Sequence, residues 1–189
     1  MGSCNGGSRG PDKTLASSPP AVGSGPAPTV VSPRYDAVGI DLCGRTDLDP
    51  LAGLSLVPRA SEPQLPPSGP GAACLFTLRA PGGHAAGLRV EAATPATVED
   101  AGRLYRATAL VTSMEPAGRV VGLGDEAEAF VRWSDFGFRY AEYLVRARHA
   151  NLVTKVWVAV GGDRFVPEQR LAVATMAITR ATLALASRT

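Results

Sequence analysis

The stretch "RYAEYLVRARHANLVTKVWVAV" (139–160) decides the fold. Residues 139–149 and 152–160 are two runs rich in Val, Tyr and Leu, with Trp157 in the second. Only Ala150 and Asn151 separate them, so the pattern predicts two strands closed by a tight turn, an antiparallel hairpin. Working outward, "AEAFVRW" (127–133) reads as a further strand. "AACLFTLRA" (72–80) and "GLRVEAAT" (87–94) read as two more, joined by the turn "PGGHAA" (81–86). In the second of these, Leu88, Val90 and Ala92 alternate with Arg89 and Glu91, the period of a half-exposed strand.

Two main helices complete the pattern. Residues 97–114 open with Thr97 and Asp100, which resemble a capping box. Val98, Ala101, Leu104, Thr108 and Val111 mark the face expected to be buried. Residues 166–187 place Pro167 at the first helical position, with Leu171, Ala174, Ile178, Ala181 and Leu185 as one apolar stripe. A short helix is expected at 46–54, capped by Asp49 ahead of Pro50. The class expected is α+β: an antiparallel sheet of about five strands with two main helices packed on it.

Composition bounds what this domain can do. The chain has 189 residues, 45% hydrophobic and 19% charged, with a net charge of +2. That is enough for one domain and its core, and far from the dense basic patch of a nucleic-acid binder. Residues 1–33 hold six Gly, six Ser and six Pro. Such a segment buries too little apolar surface to offset its ordering entropy, so 1–33 is expected as a disordered tether and 34–189 as the single domain. A second such stretch, "PQLPPSGPG" (63–71), is expected as a long surface loop. No apolar run reaches the 18 residues of a spanning helix.

The motifs that carry chemistry are sparse. "GLGDEA" (122–127) formally matches G-x-G-x-x-[GA], but no βαβ unit surrounds it, so a glycine turn into a strand is the plainer reading. Asp125, Glu126 and Glu128 form an acidic cluster, expected as a solvated turn. Arg139, Arg146, Arg148 and Lys155 fall on the 139–160 hairpin. They could bind an anionic lipid headgroup or polymer. A solvent-facing sheet edge, where charge discourages aggregation, is the plainer alternative. His84 sits in the 81–86 turn and is expected to be solvated. Trp133, Phe136, Phe138, Tyr140, Tyr143 and Trp157 cluster in or near the same strands, most of them as core. No known catalytic motif occurs, and the pattern implies no metal site and no cofactor.

The cysteines are Cys4, Cys43 and Cys74. Cys4 falls in the tether, where a disulfide would order nothing. From spacing alone, a Cys43–Cys74 bridge and two buried free thiols remain equal alternatives. "MGSC" (1–4) fits a bacterial lipobox, with Met1 in the apolar place ahead of two small residues and the cysteine. It fails the eukaryotic myristoylation pattern, because position 6 is Gly. Met1 is accordingly read as a misassigned start, with a signal peptide encoded upstream.

Taken together, these features resemble a group of small actinobacterial cell-envelope lipoproteins whose shared domain has no assigned function. The resemblance runs through a cysteine ahead of a Pro/Ser/Gly-rich tether, then Cys43 before "LDPLAGL" (48–54), then Cys74 in "AACLFTL" (72–78). It continues through a G-x-G-D-x-A segment at Gly122, Gly124, Asp125 and Ala127, an Arg- and Val-rich hairpin and a terminal amphipathic helix. It implies a palmitate-type lipid on Cys4, attachment to the extracytoplasmic face of the cell membrane, a Cys43–Cys74 disulfide and no catalytic residues. The expected function is a non-catalytic module that binds an envelope protein, a lipid or a cell-wall ligand. Two rival readings stand beside it: a secreted hydrolase with a site around Asp125, Glu126 and Arg146, and a soluble cytosolic domain.

Overall fold

The computed structural model describes residues 34–188, except 111 and 136. Met1, Cys4 and the tether expected over 1–33 therefore lie outside the described residues, as do Val111 and Phe136.

The hairpin at 139–160 forms the middle of the domain. Strand β7 (Arg139–His149) pairs antiparallel with β8 (Leu152–Gly162) along its full length. Ala150 takes a left-handed φ of 50° at the turn. Asn151 follows it and does a second job. Its Oδ1 accepts from the Tyr35 N–H at 2.7 Å, and its Nδ2 donates to the carbonyls of Tyr35 and Pro95. The turn thus holds β1 (Tyr35–Asp36), which pairs with β9 (Ser187–Arg188) in a separate two-stranded sheet.

The large sheet differs from the expectation of about five strands. It has seven: β2 (Val57–Gln64), β3 (Gly71–Arg79), β4 (Ala85–Ala93), β8, β7, β6 (Glu126–Asp135) and β5 (Glu115–Arg119), in that spatial order and all antiparallel. With β1 and β9, nine strands among the described residues make the domain mostly β. Four of the nine were not expected from the sequence: β1, β9 and the two edges of the large sheet, β2 and β5. "VPRASEPQ" (57–64) and "EPAGR" (115–119) are exposed almost throughout and carry Pro58, Pro63 and Pro116. An edge strand needs only half its backbone groups paired, so it tolerates proline and shows no burial alternation. Both edges also carry register shifts, between Pro58 and Ala60 and between Pro116 and Gly118.

One face of the sheet carries the main core. Cys74, Phe76, Leu88, Val90, Ala129, Val145, Val156 and Val158 are buried there with Leu171, Ala174 and Ile178 of α3 (Glu168–Leu185). The expected stripe on α3 is widened by three threonines. Thr175, Thr179 and Thr182 are buried, and each hydroxyl donates back to the carbonyl of Leu171, Thr175 and Ile178 respectively at 2.7–2.8 Å. Self-bonding lets a hydroxyl enter an apolar interface without losing a partner. Ala181 and Leu185 are only half-buried. Short helix α1 (Leu42–Arg45), capped by the Asp41 carboxylate, puts Cys43 beside β3. There Cys43 and Cys74 form a disulfide, with Cα atoms 5.3 Å apart. Residues Asp49–Leu54 form a 3₁₀ turn, with Pro50 in its first positions.

Helix α2 (Val98–Leu110) ends four residues before the expected boundary. Its capping box is present: the Asp100 N–H donates to the Thr97 hydroxyl, which donates to the Asp100 carboxylate. Its buried face is Ala101 and Tyr105, packed on Val153, while Val98 is exposed. This contact lies on the opposite face of the sheet from α3, because Val153 alternates with Leu152 and Thr154 along β8.

Candidate functional site

The α2 side of the sheet is largely polar, and its side chains form rows that follow the strand register. One row runs Glu91 (β4), Lys155 (β8), Arg146 (β7), Glu128 (β6). The next runs Arg89, Trp157, Leu144, Phe130, and the one beyond sets Glu142 opposite Arg132. Helix α2 covers only part of this surface. Between its C-terminal end, the Thr112–Met114 segment and the rows lies a cavity of about 280 Å³.

Most charges around the cavity are paired. Arg132 makes a bidentate pair with Glu142, through Nε at 2.6 Å and Nη2 at 2.9 Å, and its Nη1 donates to Ser113. This carboxylate holds the Arg132 guanidinium above its ordinary pKa. Glu142 also accepts from the Trp157 indole N–H at 3.0 Å. Arg89 pairs with Glu91. Arg146, only 3% exposed, pairs with Glu128 and donates to the Tyr105 carbonyl and the Thr108 hydroxyl. Its guanidinium lies over two rings, with its central carbon 4.4 Å from the centre of Tyr105 and 5.2 Å from that of Phe130. Burial, and next the Glu128 carboxylate, push the Tyr105 phenol up to about 12.

Two groups on this wall lack partners. The buried Arg146 Nε has no hydrogen bond among the described residues. Lys155, half-buried on the same wall, makes none of the ion pairs or hydrogen bonds found among the described residues.

The expected sites fall differently. Arg146 and Arg148 share a sheet face, but β7 lies inside the sheet, so the solvent-facing edge expected for them is overturned. Arg148 is mostly buried against Glu126 and Asp125. Arg139 lies far from both, at the other end of β7, where it pairs with Asp135, donates to the Asp163 carbonyl and sits over Phe165. The three arginines therefore form no common site.

The acidic turn is also more than a solvated loop. Asp125 Oδ2 accepts from the Ala150 N–H at 2.8 Å and from Arg148, and Oδ1 lies 2.9 Å from His149 Nδ1. Burial alone would raise the Asp125 carboxyl, but these partners outweigh it and hold the group below the usual carboxylate range. The hydrolase residues do not converge. Glu126 faces Arg148, whereas Arg146 faces Glu128 one row along. His84, expected to be solvated alone, lies 3.1 Å from Asp163.

No family model and no curated protein matches the chain. Among solved structures, the extracellular domain of PknH from Mycobacterium tuberculosis is similar to 72% of this chain and 90% of that one. Its TM-score is 0.40 and its sequence identity 9%.

Arg89, Glu91, Arg132, Glu142 and Glu128 escaped the sequence reading as members of one site. The usable signal was the alternation of Arg89 and Glu91 on β4, matched by Lys155 and Trp157 on β8. Among the described residues, no group of His, Cys, Asp and Glu is placed to hold a metal ion, and no helix is long and apolar enough to cross a membrane.

Proposed function

We propose that this protein is a non-catalytic, extracytoplasmic binding module that receives a small ligand in the cavity beside α2, with the domain tethered to the membrane through a lipid on Cys4. The observation that carries the binding function is the cavity itself. Its wall combines an indole, aliphatic side chains and a few convergent charges, the make-up of small-molecule sites. The Cys43–Cys74 disulfide supports an oxidising compartment. A diacyl anchor on Cys4 would supply the two chains that stable attachment takes.

Non-denaturing mass spectrometry of the full chain from its native source tests this reading. A small molecule should accompany the protein and be lost on denaturation, and the cavity-filling variant Leu144→Trp should carry none. Equal occupancy in the two proteins would overturn the assignment to this cavity. Free thiols at both Cys43 and Cys74 in the native protein would overturn the location.

A further inference from the structure

We infer that the cavity takes a small organic monoanion with an apolar body, its acidic group held by Lys155. The inference rests on the binding reading above and names the ligand of that same site.

The charge pattern sets the sign. Three arginines reach the wall, and each already has a carboxylate: Arg89 with Glu91, Arg132 with Glu142, Arg146 with Glu128. Lys155 is the remaining cation. In register it stands between Glu91 and Arg146, yet both of those are committed to other partners. Lys155 is half-buried as a residue and makes no ion pair among the described residues, so its charge lacks a carboxylate in the wall. An anion placed beside it supplies the missing counter-charge through a charge-assisted hydrogen bond.

The same pattern sets the magnitude of the charge. Glu91 and Glu142 are both buried in the wall, so a second negative charge on the ligand would sit against two carboxylates already desolvated. A cation would meet Lys155 with nothing to offset it. One negative charge matches the one cation of the wall that is unpaired among the described residues.

The remaining lining sets the body. Trp157 and Leu144 lie one row along from Lys155, and Met114 comes in from the segment after α2. The Trp157 N–H is already given to Glu142, so the indole offers its ring rather than a donor. About 280 Å³ lies near the lower end of ligand cavities, roughly 300–1,000 Å³. That size suits a small acid.

Trp157 is itself the reporter. In a Trp133→Phe background it is the sole tryptophan, so its emission reads the cavity. The probes are 4-phenylbutyrate, 4-phenylbutanol, 4-phenylbutylamine and phosphatidylglycerol vesicles, the last as a lipid-borne monoanion. The butyrate should give a saturable change, and the alcohol and the amine should bind at least 10-fold more weakly. Lys155→Met should weaken butyrate binding at least 10-fold and Lys155→Arg should restore it, with unfolding midpoints confirming that both variants fold. Equal binding of the alcohol, or no effect of Lys155→Met, would overturn the charge assignment and leave the binding cavity standing. A Lys155-dependent response to vesicles without one to the butyrate would overturn the small acid. No response to any probe, in a protein whose co-purified small molecule is still lost in Leu144→Trp, would overturn the apolar monoanion and leave the binding cavity standing.

Discussion

Arg146 carries its charge 4.4 Å from the centre of the Tyr105 ring, beneath α2, while its partner Glu128 keeps 45% of its side chain in solvent. The pair is therefore lopsided. Removing Glu128 strands a buried cation, whereas removing Arg146 leaves a carboxylate that water can reach. Glu128→Ala should destabilise by about 3 kcal/mol, the scale of a broken buried pair. The double variant Glu128→Leu/Arg146→Met should recover most of that loss, as apolar replacements of buried pairs do. Urea unfolding of the set checks both values, and equal losses in Glu128→Ala and the double variant would refute the asymmetry.

The disulfide joins residues 31 apart in sequence and fastens α1 to β3. Loop-closure entropy for that separation gives about 3–4 kcal/mol. Reduction, or the Cys43→Ser/Cys74→Ser pair, should lower stability by that amount and the melting midpoint by about 10 °C. Calorimetry with and without a reductant measures it.

The two glycines of "GLG" (122–124) should differ sharply. Both have left-handed φ, +74° at Gly122 and +68° at Gly124. A Cβ at Gly122 meets nothing within 4 Å, so Gly122→Ala should cost only the backbone strain, about 1–2 kcal/mol. A Cβ at Gly124 would lie 2.4 Å from the Arg148 carbonyl oxygen, which also accepts from the Asp125 N–H. Gly124→Ala should cost clearly more and weaken the Asp125 cluster. Chemical denaturation of the two variants, with hydrogen exchange at the Asp125 and Ala150 amides, gives the comparison.

Asp125 should impose a pH dependence of known sign. Its folded pKa is depressed, so its contribution is complete above the unfolded carboxyl value, about 3.9, and is lost as pH falls through the lower folded value. Asp125→Asn should be less stable by about 1–2 kcal/mol at neutral pH, the scale of a lost pair of hydrogen bonds. The gap should close below about pH 4. Denaturation midpoints at several pH values test this, and a gap that widens in acid would contradict the sign.

The central hairpin was legible because both of its strands are apolar enough to be recognised by residue type, and because only two residues join them. The edges were not, since β2 and β5 bury almost nothing and a strand without burial leaves no pattern. The burial of Arg146 was equally hidden. Its carboxylate partner lies 18 residues away, and only the register of β6 against β7 brings the two together. Charge on a strand reads as solvent from the sequence, because pairing across strands is a property of the sheet. The α3 threonines misled in the same direction: polar by type, they satisfy themselves on their own helix and join the core.

The small β1–β9 ladder places Tyr35 opposite Arg188, at the Asn151 end of the domain. The first and last strands of the described residues therefore lie side by side. Tension applied through both would first peel a two-residue ladder, bond by bond, instead of shearing the seven-stranded sheet along its length. The Asn151 clamp on Tyr35 resists the same peel, because it holds the first residue of the ladder to the turn between β7 and β8.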